Sequence, residues 1–134
     1  MKKVYIAGPL FTKAERDFLE EIEKLIKELG FETYLPHKDA GVFIRGKSSS
    51  EEFFKKDLDA MKNCDILVTV LNGNEVDSGT AWEIGFAYSK RIKIIGILDD
   101  TRKPDNELLN PMIVNSIKIV NSVEELKRVL QEME

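Results

Sequence analysis

Two carboxylates, two hydroxyls and a glycine crowd one short stretch, Asp77-Ser78-Gly79-Thr80-Ala81-Trp82-Glu83. Asp77 to Thr80 reads as a turn and helix N-terminus, where backbone N–H groups face a ligand. Glu83 follows inside an apolar, helix-compatible run with Trp82, Ile84, Phe86, Ala87 and Tyr88 around it, so no face of that helix reads as fully solvated. An ionised carboxylate moved toward a low-dielectric surface costs several kcal/mol unless it is paired or hydrogen-bonded. Sequences keep such groups for structural pairing or for chemistry. Pairing would use Lys90, Arg91 or Arg45. Chemistry would be that of paired acids: Glu83 and Asp77 on one rim suit cleavage of a glycosidic bond, one as nucleophile and the other as acid.

Other chemistries find little support in the chain. His37 is the only histidine and follows a proline. We read it as a surface or rim residue, which leaves Ser-His-Asp and Cys-His arrangements without a base. Cys64, the single cysteine, cannot form an internal disulfide, and no Cys/His cluster has zinc spacing. It reads as a packing residue. The first βα turn, Ala7-Gly8-Pro9-Leu10-Phe11, has neither a dinucleotide fingerprint nor a P-loop. Gly8 would let a ligand approach the backbone, and Pro9 would shape the start of the next helix. Asp57, in KKDLDAMKNCD, lies near the edge of a buried face if Leu58 and Met61 pack inward; read alone, it is a solvated helix residue. Tyr5 reads as core, but a buried hydroxyl needs a partner.

These residues need elements to hold them, and the pattern alternates short strands with amphipathic helices. Strands are expected at Lys3–Ala7, Phe31–Leu35, Asp65–Leu71, Ile92–Leu98 and Ser116–Val120. Thr12 with Glu15 makes a capping box for a helix whose apolar face is Phe18, Leu19, Ile22, Leu25, Ile26 and Leu29. Ser49 with Glu52 caps a helix to about Asn63, and Ser122 with Glu125 caps the last one. Residues 36–48 read as a loop, and Leu108–Val114 as a short helix or turn broken by Pro111. The expectation is one domain over residues 1–134: a three-layer α/β sandwich around a parallel sheet of order 2-1-3-4-5. Ligands bind such sheets beyond the carboxyl ends of the strands, near the switch between strands 1 and 3. The acidic turn falls there.

The totals agree with a globular domain. The 134 residues suffice for a core without metal or disulfide support. A hydrophobic share of 43% against 33% charged excludes a disordered chain. A net charge of −4 argues against a nucleic-acid polymer as partner. No signal peptide or membrane-length apolar run is present, so a cytoplasmic location and no membrane partner are expected.

Taken together, Val4-Tyr5-Ile6-Ala7-Gly8-Pro9, Asp57 before the NCDILV strand, the D-x-G-T-x-x-E-x-G segment from Asp77 to Gly85, and Leu109-Asn110-Pro111-Met112 make the chain resemble the nucleoside 2-deoxyribosyltransferase family. The resemblance spans nearly the whole length and implies a flavodoxin-like fold. It implies that Glu83 is the nucleophile of a retaining double displacement and that Tyr5 holds it in position. Asp77 and Asp57 would bind the nucleobase and move a proton on its ring nitrogen. Asn110 would reach a neighbouring subunit's sugar site, with Met112 beside it, so a homodimer or larger homo-oligomer is implied. Gly8, Pro9, Ser78 and Gly79 would line the substrate. The partners would be nucleosides or deoxynucleotides and free nucleobases, with no cofactor and no metal.

A related family, the 2-deoxynucleoside 5-monophosphate N-glycosidases, shares the fold, the glutamate and the tyrosine but uses water as acceptor. Asn110 and Trp82 favour the transferase, whereas Ser78 and the Ser48-Ser49-Ser50 run suit a phosphate. Nucleotide phosphoribohydrolases add a Pro-Gly-Gly where this chain has Asn74-Glu75-Val76-Asp77. A non-catalytic nucleotide-binding module on the same scaffold is the third reading.

Overall fold

The computed structural model describes residues 1–41, 46, 49–73, 75–100 and 109–133. The elements are β1 (Lys3–Ala7), α1 (Lys13–Glu28), β2 (Glu32–Tyr34), α2 (Pro36–Asp39), α3 (Ser50–Lys62), β3 (Ile66–Val70), α4 (Ser78–Ser89), β4 (Lys93–Ile97), α5 (Pro111–Val114), β5 (Lys118–Val120) and α6 (Val123–Gln131). The strands form one parallel sheet in the order β2-β1-β3-β4-β5. That is the expected order; β1 has its expected bounds, and the other four strands are shorter than expected because flanking residues leave the ladder to enter turns.

Alternation along the strands sorts the core into two layers. Val4, Ile6, Val68, Val70, Ile95 and Ile97 face α1 and α6, meeting Leu19, Ile22, Ile26, Leu126 and Leu130. Tyr5, Ala7, Leu67 and Leu71 face α3 and α4, meeting Met61, Ile84 and Ala87. β3 is buried along its whole length, as the central strand of a sheet covered on both faces must be. Each fully buried Leu or Ile in these layers contributes roughly 1.5–3 kcal/mol relative to exposure.

The caps form as their residue types require. Thr12 accepts from the Glu15 N–H at 3.1 Å, and Glu15 Oε1 accepts from the Thr12 N–H at 2.8 Å. Ser49 and Ser122 cap α3 and α6 through the forward bond, their hydroxyls accepting from the Glu52 and Glu125 N–H.

Three expectations change. Residues 36–39 are one helical turn rather than loop: Pro36 opens it with its fixed φ, and Asp39 Oδ2 closes it by accepting from the Leu35 N–H at 2.7 Å. The remainder of the expected 36–48 loop lies mostly outside the described residues. His37 is not at the rim. That turn tucks its imidazole against α1, where the side chain is 6% exposed and Nε2 lies 3.3 Å from Glu20 Oε2. Pro111 starts α5 rather than breaking it, since the first helical position needs no N–H; Leu108 lies outside the described residues. Among the described residues, no helix is long and apolar enough to cross a membrane.

Candidate active site

The alternation of β1 turns Tyr5 toward the α3–α4 layer, where it is fully buried. A buried phenol must place its one proton on an acceptor. Here the acceptor is Glu83 Oε2, in the second turn of α4. Glu83 is half-buried and therefore sits at the boundary between core and solvent. Burial pushes its carboxyl up to about 7; the Tyr5 hydrogen bond opposes this, and the negative charges of Asp57 and Asp77 add to it. Tyr5 is pushed far above the ordinary tyrosine range, first by burial and then by the Glu83 charge, so its proton stays available to the carboxylate. The alternative pairing of Glu83 with Lys90 or Arg91 does not form; Arg45 lies outside the described residues.

A second phenol–carboxylate pair stands beside the first. Tyr34, the last residue of β2, donates from its hydroxyl to Asp57 Oδ1 at 2.9 Å. Its ring stacks on Tyr5 with centroids 5.2 Å apart and planes inclined by 22°. Burial holds the Asp57 carboxyl above the usual aspartate range against the Tyr34 hydrogen bond. Asp57 thus does not project into solvent, as it would on an isolated helix. It is bound to β2 through Tyr34, a residue that nothing in the local sequence marks out. The one available signal is that Tyr34, half-buried one strand away, has a hydroxyl that needs a partner as Tyr5's does.

Asp77 is the N-cap of α4: Oδ2 accepts from the Thr80 N–H at 3.2 Å and the Thr80 hydroxyl at 3.3 Å. A Cβ on Gly79 would stand 3.3 Å from that oxygen, so glycine gives the carboxylate its room. Ser78 and Gly79 are exposed at the same terminus. The structure thus brings Glu83, Tyr5 and Asp57 into one cluster and sets Asp77 close enough for its charge to act on Glu83.

The remaining expected residues lie apart. Gly8 is buried, and its small size serves packing rather than an approach to the backbone from outside: a Cβ there would meet Leu19 at 3.0 Å and Val70 at 3.1 Å. Pro9 is half-buried at the carboxyl end of β1. Asn110 caps α5, accepting from the Met112 N–H at 2.9 Å, and both it and Met112 are exposed. α4 also differs from its expected all-round burial. Trp82 and Tyr88 lie on an exposed face, where Trp82 meets Phe54 edge-on at 5.8 Å and stacks on Phe86 at 5.7 Å. The outward face arises because α4 covers the sheet on one side only.

A groove of about 450 Å³ between α3 and the β1–β2 strands is lined by Lys3, Tyr34, Asp39, Lys56, Asp59 and Cys64, among others. It opens at the amino ends of the strands and shares only Tyr34 with the acid cluster. Its thiol is poorly reactive, since burial pushes Cys64 up to about 11. Glu83, Tyr5 and Asp57 do not line this groove.

Comparison with known proteins bears on that cluster. A sequence profile described as nucleoside 2-deoxyribosyltransferase matches residues 4–125. Among solved structures, the chain is similar to a conserved protein from Enterococcus faecalis V583 (26% identity, TM-score 0.88, covering 100% of this chain and 99% of that one). It is similar to a 2-deoxyribosyltransferase from Bacillus psychrosaccharolyticus (26% identity, TM-score 0.77, covering 93% and 90%). A CMP N-glycosidase from Clostridium botulinum shares the fold (22% identity, TM-score 0.64, covering 99% and 100%). None of the curated proteins matches the sequence.

Proposed function

We propose that this chain, which belongs to the nucleoside 2-deoxyribosyltransferase family, moves a 2-deoxyribosyl group between nucleobases with Glu83 as its nucleophile. The observation that carries this reading is the Tyr5–Glu83 pair: a half-buried glutamate on the boundary of the core, aimed by a buried phenol. The Glu83 carboxylate attacks C1′ of a 2′-deoxynucleoside. The C1′–O bond forms as the C1′–N bond breaks, and the bonding electrons leave with the base. A neighbouring acid, Asp57 or Asp77, protonates the departing ring nitrogen. A second base then attacks C1′, gives up its ring proton and releases Glu83, so configuration is retained. Tyr5 keeps one Glu83 oxygen in a fixed hydrogen bond and the other free to attack. Asn110 and Met112, exposed beside α5, would complete the sugar site of a neighbouring copy, and Pro9, Ser78 and Gly79 would line the substrate.

Hydrolysis of a 2′-deoxynucleoside 5′-monophosphate is the second reading, supported by the exposed Ser78 hydroxyl at a helix N-terminus. Asp77 weighs against it, because its carboxylate already occupies that terminus and repels a phosphate.

Incubating the protein with a deoxynucleoside and a different free base, followed by chromatography, separates the possibilities. A new deoxynucleoside is the expected product, and it should vanish in Glu83→Ala. Free base and sugar alone would make the protein a hydrolase, and the same assay on the 5′-monophosphate would then identify the substrate. Binding without turnover, indifferent to Glu83→Ala, would leave a nucleotide-binding module.

A further inference from the structure

The two phenol–carboxylate pairs are mechanically one object. Tyr5 and Tyr34 come from adjacent paired strands in direct register, stack ring on ring, and each gives its single proton to a different carboxylate. A double displacement needs those carboxylates in opposite states, Glu83 as an anion and the base-side acid carrying a proton. Asp77 is committed to capping α4, since the Thr80 N–H and hydroxyl both converge on one of its oxygens. Asp57 receives one donor, on Oδ1. The carbonyl oxygen of a neutral carboxyl is the better acceptor, so Tyr34 steers the proton of Asp57 to Oδ2, the oxygen it leaves free.

We propose that Tyr34 is a positioning residue that makes Asp57 the proton donor to the leaving nucleobase, while its stack on Tyr5 fixes the position of that donor relative to Glu83. The inference rests on the glycosidic reading above and deepens it. In the step, the proton on Asp57 Oδ2 passes to the ring nitrogen as the C1′–N bonding pair moves onto that nitrogen, and Asp57 is left as the carboxylate. The second half-reaction returns the proton from the incoming base. Among the described residues, the titratable groups that interact with Asp57 are Tyr34 on β2, Tyr5 on β1 and Glu83 on α4; Asp39 on α2 acts on Tyr34. None is a cation that would hold Asp57 ionised.

The test compares two substrates in Tyr34→Phe, which keeps the ring stack and loses only the hydroxyl. With 2′-deoxyinosine, whose base leaves well only when protonated, kcat should fall on the order of tenfold to a hundredfold. With 7-methyl-2′-deoxyguanosine, whose base leaves neutral without accepting a proton, the change should stay within about twofold. Equal losses on both substrates, or none on either, would overturn the assignment. Carboxyl carbon NMR gives a readout independent of turnover. Asp57 should titrate at higher pH in Tyr34→Phe than in the parent protein, because the lost hydrogen bond favoured its anion; an unmoved titration would sink the link. Should the parent protein cleave neither substrate, the glycosidic reading fails, and the NMR titration still decides whether Tyr34 controls Asp57.

Discussion

A carboxyl group pushed to about 7 by burial leaves a mark on stability as well as on rate. In the unfolded chain Glu83 titrates near the ordinary glutamate value of about 4.3. Between that pH and about 7 the folded state therefore binds more protons than the unfolded one. Stability falls as pH rises through this window and levels off above it, by on the order of 4 kcal/mol at ~1.4 kcal/mol per unit. Glu83→Gln removes the buried anion, so it should melt higher than the parent at pH 8 and nearly alike at pH 5; paired thermal melts measure this. Activity runs the other way, since kcat/KM should rise with pH as Glu83, the proposed nucleophile, ionises around pH 7. Tyr5→Phe deletes the hydrogen bond that favours the anion. That limb of the pH profile should then move upward, with kcat at neutral pH sharply reduced.

At the scale of elements, α4 is both wall and machinery. Its N-cap is Asp77, so substitutions there mix structure with chemistry. Asp77→Asn keeps an oxygen to cap Thr80 and should leave stability within about 0.5 kcal/mol, whereas Asp77→Ala should cost about 1 kcal/mol. Denaturant unfolding separates the two. If deoxyribosyl transfer falls in both variants, the charge of Asp77 matters to the reaction; if only in Asp77→Ala, the cap does. On the other face of the sheet, Gly8 lets α1 close against β3. Val70 Cβ belongs to the rigid central strand and cannot swing aside. Gly8→Ala should therefore destabilise the fold by roughly 1–3 kcal/mol in denaturant unfolding.

Across the whole molecule, the acid cluster depends on pieces distant in sequence: Tyr5 on β1, Tyr34 on β2, Asp57 on α3 and Glu83 on α4. Asn110 stands exposed outside that cluster, capping α5. If it serves a neighbouring copy, Glu83→Ala and Asn110→Ala proteins, each inactive alone, should recover activity when mixed, because a mixed pair contains one intact site. Continued inactivity after subunit exchange, checked by sedimentation, would show that Asn110 acts within its own chain or not at all.

Periodicity and cap residues located the strands and the main helices, because burying one face of each element fixes which residues must alternate, and right-handed crossovers in a short chain set the sheet order. Periodicity also singled out Glu83 and Tyr5, since an acid in an apolar helix and a phenol in a buried strand each need a partner. It left their partners open: the family resemblance implied that Tyr5 holds Glu83, and only tertiary structure put Tyr34 on Asp57. Tyr5 found Glu83 across 78 residues, and Tyr34 found Asp57 across 23, through strand register and the crossing of α3 and α4 over the sheet. His37 was misread and Tyr34 overlooked for the same reason. Burial and hydrogen-bond pairing are set by which surfaces meet in space, and nothing within a few residues of either side chain encodes that meeting.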